Sequence, residues 1–255
     1  MAGKDNEKLV KKAKATSDSP FTAPDQYFPG KPCITEAEYQ TFLRDKGRKP
    51  RLYLLHTALR LFAQDGYEAA SVSDIAGELG MTKGALYKHY KNKRDIFDSI
   101  VERICQIDIE RAKKYEVPEK TFDKSPSAYR NTAVNKIKVF IEAQFHFWTE
   151  DEFGSDFRKM LILEQYRNPE IMELYQKCLV SGPLSYMEDL FREMMEQGIW
   201  NKSNPKQLAL EFYAPFYLLV SISDTMPDKQ EAAKLLSAHI ERFIGENSAP
   251  RKQKE

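Results

Sequence analysis

The order of apolar and polar residues predicts α-helices along almost the whole chain from residue 51 onward. In residues 51–65 the apolar side chains recur at three- and four-residue spacing, which places them on one face of a helix. These residues are Leu52, Leu55, Leu59 and Phe62. Gly66 follows and ends the helix. The period-two alternation that is typical of strands does not occur in the sequence, which therefore predicts an all-α protein.

Capping signals divide the following segment into three more helices. Ser71, with Asp74 three residues later, forms a capping-box pattern that opens a short helix closed by Gly80. Thr82 caps the next helix, and Asn92 caps a long one that runs to about residue 115.

The C-terminal half carries its own helix signals. An N-cap residue followed by proline opens a helix at Ser125-Pro126, Asn168-Pro169 and Asn204-Pro205. We expect Ser155 to cap a helix around residues 157–166, and Ser181-Gly182-Pro183 to interrupt the helix after it. Asp228 opens the last helix.

Composition, together with the positions of proline, glycine and capping residues, predicts four segments. Residues 1–48 are rich in lysine and then in proline, which predicts a weakly structured N-terminal extension. Residues 49–95 hold three short helices and form a predicted helix-turn-helix DNA-binding domain. Residues 96–246 form a predicted effector-binding and dimerisation domain, and residues 247–255 a disordered tail.

Charge favours DNA binding only locally. The formal net charge is +1, so the molecule as a whole does not attract nucleic acid. Residues 44–60, however, contain six basic side chains opposed by Asp45 alone. A second basic cluster consists of Lys83, Lys88, Lys91, Lys93 and Arg94. Any attraction for DNA must come from these two stretches.

A tight turn at Gly80-Met81 separates two of the short helices, as in a helix-turn-helix motif. The second helix of such a pair lies in the major groove, with the N–H groups of its first turn near phosphate. Lys83 can reach a guanine edge or a phosphate, and Gly84 lets the backbone approach the duplex closely. Tyr87 and His89 can form hydrogen bonds with phosphate.

The complete set of predicted DNA-binding residues is Arg51, Ser71, Thr82, Lys83, Gly84, Tyr87, His89 and Lys93. Lys93 opens the next helix, where it can reach the same DNA strand. Leu86 and Tyr90 lie on the opposite side of the recognition helix, so we expect both in the core.

Residues 51–67 and 73–90 resemble the first helix and the helix-turn-helix of TetR-family regulators. The first segment reads RLYLLHTALRLFAQDGY, with the family's Leu-Phe and Gly-Tyr pairs, and the second reads SDIAGELGMTKGALYKHY. Met81 and Tyr90 stand where valine and phenylalanine are commoner, and the long segment before Arg51 is less usual for the family.

The resemblance implies a three-helix DNA-binding head followed by a helical ligand-binding and dimerisation domain. It also implies a homodimer that binds a near-palindromic double-stranded operator and releases it when a small molecule binds. We therefore expect a repressor; an activator, or a non-enzymatic adaptor that retains the fold, are the alternatives.

Residues 118–245 contain more aromatic side chains than a plain helical bundle needs. We expect some of them to form an apolar pocket for a lipophilic or aromatic effector. The predicted wall residues are Phe140, Gln144, Trp148, Met160, Glu164, Tyr175 and Met187.

The last two helices of the chain are apolar on broad faces, and we expect them to form a four-helix dimer interface. The predicted interface residues are Leu208, Phe212, Phe216, Leu236, Ile240 and Phe243.

Other classes of protein are disfavoured. The three cysteines are widely spaced, and no apolar run is long enough to span a bilayer, so we expect a cytoplasmic protein without membrane contact. Nucleophile-elbow, phosphate-loop, HExxH and dinucleotide motifs do not occur, which argues against an enzyme and against a cofactor. Glu142, His146 and Glu150 share a helix face, but a lone histidine between carboxylates is seldom a metal site, so no metal is predicted.

Overall fold

The computed structural model describes residues 50–249, and its regular elements are helical. The head contains α1 (Pro50–Asp65), α2 (Val72–Glu78) and α3 (Lys83–Tyr87), and α4 (Lys93–Lys114) leads away from it. The remaining helices are α5 (Pro126–Arg130), α6 (Val134–Thr149), α7 (Glu152–Glu164), α8 (Pro169–Tyr175), α9 (Ser181–Glu196), α10 (Pro205–Ile222) and α11 (Lys229–Asn247). The prediction of an all-α protein is confirmed for these residues.

Two predicted segments fall largely outside the described residues. The extension 1–48 lies outside them completely, as do residues 250–255 of the tail. The beginning of the tail is ordered, because α11 continues to Asn247 and the next residues pair with the loop after α9. Ala249 N–H donates to the Ile199 carbonyl (3.0 Å), and Asn201 N–H donates to the Asn247 carbonyl (2.9 Å).

Most helix starts follow the capping residues that the sequence indicates. The side chains of Asn92, Asn168, Asn204 and Asp228 each accept a backbone N–H at the start of a helix. The predicted cap at Ser155 is wrong. Asp151, which directly precedes α7, caps it instead by accepting the Gly154 N–H (2.8 Å).

Pro183 does not break its helix, contrary to expectation. A π-helical turn at residues 176–180 joins α8 to α9, so the chain stays helical through Ser181-Gly182-Pro183. Proline has no N–H to bond the carbonyl four residues earlier, which belongs to Leu179. The Tyr213 hydroxyl on α10 donates to that carbonyl instead (2.8 Å). The tertiary contact thus satisfies the group that proline leaves open.

The head packs on the C-terminal region mainly through α1 and α7. The His56 ring lies 4.8 Å from the Phe153 ring at the start of α7, and Gly66 touches Glu164 at its end. The first contact lies in the first half of both helices and the second lies at the end of both, so α1 and α7 run parallel. One continuous apolar core extends from Leu54 in the head to Phe243 in α11.

Candidate nucleic-acid interface and effector cavity

The turn between α2 and α3 has the compact geometry of a helix-turn-helix. Gly80 has a φ of +63°, a left-handed conformation that glycine adopts without strain. Gly80 N–H donates to the Gly77 carbonyl (3.0 Å), and Met81 N–H donates to the Ala76 carbonyl (2.9 Å). These bonds close α2 and direct the chain into α3 without an intervening loop.

The recognition helix α3 buries one side and exposes the other. Leu86 and Tyr90 are buried, which confirms the prediction that they belong to the core. Tyr87 is 48% exposed, and Lys83 is exposed beside it. Gly84 is exposed as well, and a Cβ added to it would meet only the Thr82 hydroxyl at 3.9 Å. The outer side of α3 therefore permits close approach by a second backbone.

Two predicted DNA-binding residues have capping roles inside the head. The Thr82 hydroxyl accepts the Ala85 N–H (3.2 Å) at the start of α3. The Ser71 hydroxyl accepts the N–H groups of Ser73 and Asp74 (both 3.2 Å), and the Asp74 carboxylate accepts the Ser71 N–H (2.8 Å). These hydrogen bonds with Ser71 lower the pKa of Asp74.

Lys93 has a role that the sequence did not indicate. Its Nζ donates to the carbonyls of Tyr67 (2.8 Å) and Glu68 (3.1 Å) and lies 4.6 Å from the centre of the Tyr67 ring. Burial raises the pKa of Tyr67 to about 12, and the nearby Arg94 opposes that shift. Lys93 therefore joins the start of α4 to the turn after α1, and contact with DNA is an additional, predicted role.

The basic clusters are smaller on the surface than in the sequence. Arg60 pairs with Glu78 at 2.5 Å, and Arg94 pairs with both Asp98 and Glu170 at 2.5–2.6 Å. Among the described residues of the two clusters, Lys83, Lys88, Lys91 and the paired Arg94 are exposed, and His89 is half-buried. The side chain of Arg51 and the basic residues before it lie outside the described part.

The seven predicted pocket residues are buried in the core. Phe140, Gln144, Trp148, Met160, Glu164, Tyr175 and Met187 are each at most 7% exposed. Glu164 faces the head, where its carboxylate touches Gly66. None of the seven lines the cavity described next.

A cavity of about 550 Å³ lies instead on the outer side of α4 and α6. Its lining is more charged than the sequence predicted, with three carboxylates, one guanidinium and two aromatic rings. The residues are Arg111, Tyr115, Val139, Glu142, Ala143, His146, Phe147, Glu150 and Asp151. The stripe of Glu142, His146 and Glu150 thus forms one wall, and His146 Nδ1 lies 3.0 Å from Glu150 Oε1. No cluster of metal-ligating side chains occurs within residues 50–249.

Arg111 connects this cavity to a buried polar group. Its Nε donates to Gln144 Oε1 (3.1 Å), and its guanidinium lies 4.8 Å from the centre of the Phe147 ring. Behind it, Asp108 on α4 is buried, and burial raises its pKa to about 7 against the opposing effects of Arg111 and Gln144. One oxygen of Asp108 has no hydrogen-bond partner among the described residues. Nothing in the local sequence pattern singled out Asp108.

The predicted dimer residues are also buried within the protomer. Leu208, Phe212, Phe216, Leu236, Ile240 and Phe243 are at most 5% exposed, because α10 and α11 pack on each other and on α6 and α9. The prediction chose the wrong face of these helices. Another apolar row on α10 and α11 is exposed and consists of Leu210, Tyr217, Leu218, Ile222 and Leu235.

Comparison with known proteins agrees with this geometry. Residues 54–100, which include the whole helix-turn-helix, match the family model of bacterial regulatory proteins of the tetR family. The protein carries a TetR-family DNA-binding domain. The TetR-family head thus corresponds to α1–α3 together with the first residues of α4.

Related proteins match this chain over limited lengths. The HTH-type transcriptional regulator AcrR of Shigella flexneri is 36% identical over 76 residues, which cover 28% of this chain and 35% of that protein. The uncharacterized regulator YerO of Bacillus subtilis is 30% identical over 139 residues, covering 54% and 44%. The chain therefore spans less than half the length of these two relatives.

The fold of the chain is similar to solved structures over most of its length. SmeT, the repressor of a Stenotrophomonas maltophilia multidrug efflux pump, superimposes in its triclosan complex with a TM-score of 0.57 and 19% identity. That match covers 80% of this chain and 99% of SmeT. None of the helices within residues 50–249 is long and apolar enough to cross a membrane.

Proposed function

We propose that this protein is a homodimeric transcriptional regulator of the cytoplasm that binds a near-palindromic operator and releases it on binding a small molecule. The observation that carries the proposal is the exposed side of α3 in a domain that matches the tetR family over residues 54–100. A repressor without enzymatic activity fits this arrangement, since bound protein blocks transcription until the effector arrives.

The proposed DNA contacts use the exposed part of the head. Lys83 and Tyr87 would reach base edges and phosphate in the major groove, and Gly84 would lie against the duplex. Ser71 and Thr82 would lie next to phosphate at the starts of α2 and α3, where their hydroxyls hold the caps in place. Lys93 and His89 would complete the contacts next to α3, and Arg51 would contribute from the start of α1.

The test is operator selection from random DNA, followed by fluorescence anisotropy with the selected duplex. Lys83→Ala and Tyr87→Ala should each weaken binding by roughly 1–2 kcal/mol through loss of a hydrogen bond, charged in the case of Lys83. Lys83→Ala should also lower the salt dependence by about one released counterion. Lys234→Ala, which removes an exposed lysine on α11, is the matched control. Failure to select any palindrome would contradict the proposal and favour the adaptor alternative.

We further propose that the effector binds in the cavity between α4 and α6. Because Tyr115 and Phe147 supply aromatic faces and Glu142, Glu150 and Asp151 supply negative charge, the cavity suits an aromatic molecule with a positive charge. The triclosan complex of SmeT, which shares the fold, supports binding of a small molecule by a protein of this fold. Since α4 carries Arg111 and also begins next to α3, a ligand here can shift the head.

Calorimetry with benzyltrimethylammonium and its neutral carbon isostere, neopentylbenzene, tests the effector proposal. The cation should bind and lower operator affinity, whereas the neutral compound should do neither. Glu142→Gln should weaken cation binding, while Glu231→Gln, at an exposed position on α11 outside the cavity lining, should not. Tighter binding of the neutral compound would support the more lipophilic effector that the sequence predicts. A transcription reporter carrying the operator separates repressor from activator.

A further inference from the structure

The turn after α1 touches the C-terminal region at one closely packed point. Gly66 has a φ of +92°. Its N–H donates to the Phe62 carbonyl in α1 (3.1 Å), and its carbonyl accepts the Ala70 N–H at the end of the turn (3.2 Å). A Cβ at this position would lie 2.3 Å from Glu164 Oε1 and 3.5 Å from Glu164 Cδ. Only glycine leaves room for the Glu164 side chain, and only glycine adopts this backbone conformation without strain.

Glu164 is an unusual residue to bury at such a contact. It is fully buried, and neither carboxylate oxygen has a hydrogen-bond partner among the described residues. The nearest described cation is the guanidinium of the exposed Arg167, 3.9 Å away. Burying a carboxylate without close partners is costly, so its place is not explained by a gain in stability. Its position against the head needs another reason.

The other side of the same turn is bonded to the helix that follows the recognition helix. Lys93, the first residue of α4, donates to the carbonyls of Tyr67 and Glu68. The turn 66–68 is therefore held between the end of α7 on one side and the start of α4 on the other. Only five residues separate α3 from α4, so a movement of this turn reaches α3 directly.

We propose that Glu164 is a positioning residue for DNA binding, which fixes the recognition helix relative to α7 by bearing on Gly66. The inference rests on the proposed DNA-binding function. The packing of Glu164 on Gly66 fixes the position of the turn 66–68. The two hydrogen bonds from Lys93 to this turn then fix the start of α4, and with it α3. Because the carboxylate lacks hydrogen-bond partners among the described residues, packing alone holds this particular contact. A small displacement of α7 is then enough to change the spacing of the two recognition helices in a dimer.

A rescue experiment tests this role. Gly66→Ala should lower operator affinity at least tenfold and should increase hydrogen exchange in α3. The double variant Gly66→Ala with Glu164→Ala should return both measurements to the level of Glu164→Ala alone, because the clash is gone although the positioning contact is lost as well. Gly198→Ala is the matched control, since Gly198 has a φ of +69° with nothing within 4 Å of an added Cβ.

Two single variants decide the question if Gly66→Ala does not fold. Glu164→Ala should increase exchange at residues 66–68 and weaken operator binding, whereas Glu164→Gln, which keeps the shape, should leave both near the wild-type values. Failure of rescue, or equal effects of Glu164→Ala and Glu164→Gln, would overturn the inference. Hydrogen exchange needs no operator, so it distinguishes failure of this inference from failure of the proposed function.

Discussion

At the scale of single residues, two buried titratable groups have opposite effects on stability. Burial, with the nearby Arg103 as a second cause, lowers the pKa of His56 to about 4. Burial raises the pKa of Asp108 to about 7. As pH falls, the folded protein must keep His56 neutral while the unfolded chain takes up a proton, which lowers stability. Asp108 takes up its proton earlier in the folded state, which raises stability over the same range.

We expect the His56 contribution to be lost between pH 6.5 and about pH 4, because its pKa is lower in the folded than in the unfolded state. A shift from 6.5 to about 4 corresponds to roughly 3 kcal/mol in total, of which about 2 kcal/mol is lost by pH 5. His56→Phe keeps a ring against Phe153 and removes the titration. Urea unfolding at pH 7 and pH 5 should show the wild type losing about 2 kcal/mol more than the variant.

The contribution of Asp108 to the free energy of unfolding cancels in this comparison, because both proteins contain Asp108. The same substitution at His146, whose side chain is 52% exposed, is the control. An identical pH dependence for wild type and His56→Phe would show that His56 is not buried in the neutral form.

At the scale of helices, α10 presents two apolar faces with different roles. Phe212 and Phe216 belong to the core face, whereas Leu210, Tyr217 and Leu218 are 50%, 40% and 59% exposed on the other. The exposed Ala214 and Ser221 lie between them on the same face and are small enough to permit close helix approach. A second copy of the chain is the partner that the proposed function supplies for this face.

Leu218→Asp should therefore convert a dimer into a folded monomer at micromolar concentration, because a charge would be buried in the symmetric interface. Phe212→Asp should instead unfold the protomer. Light scattering after gel filtration measures the mass, and circular dichroism checks the fold. Val139→Asp, at a 48% exposed position on α6, should remain dimeric. A wild type that is monomeric, or a Leu218→Asp protein that is still dimeric, would contradict this assignment.

At the scale of the whole molecule, a net charge of +1 provides no general attraction to DNA. Operator affinity must then depend on local charge, and Arg60 and Arg94 are already paired within the protein. Residues 44–49 add four basic side chains directly before α1. They would lie along the minor groove if α3 occupies the major groove.

Two truncated proteins test the contribution of these charges. A chain that begins at residue 44 should keep the wild-type dependence of operator affinity on salt. A chain that begins at residue 50 should show a smaller slope, by about one counterion for each phosphate that the removed side chains neutralise. Anisotropy titrations across a series of salt concentrations measure both slopes. Equal slopes would show that the basic stretch does not touch DNA.

Prediction from sequence was reliable where the interactions that form an element lie within one short segment. The capping box at Ser71 and the glycine turn at Gly80 involve residues within a few positions of each other, so local spacing was enough. Leu86 and Tyr90 were assigned to the core for the same reason, since helical period separates them from Lys83 and Tyr87. The failures at Ser155 and Pro183 arose because a competing cap at Asp151 and a hydroxyl from α10 changed the outcome.

The sequence by itself determined the helices, the helix-turn-helix and the residues exposed on α3, because these depend on periodicity and on bonds along the chain. Only the tertiary structure decided which of two apolar faces on α10 enters the core, since both faces satisfy the same helical period. It also showed that Glu164 packs against Gly66 and does not line the cavity. Likewise, it showed that Asp108 lies behind Arg111 and Gln144. These placements depend on how helices far apart in sequence pack together, and a pattern along one helix does not contain that information.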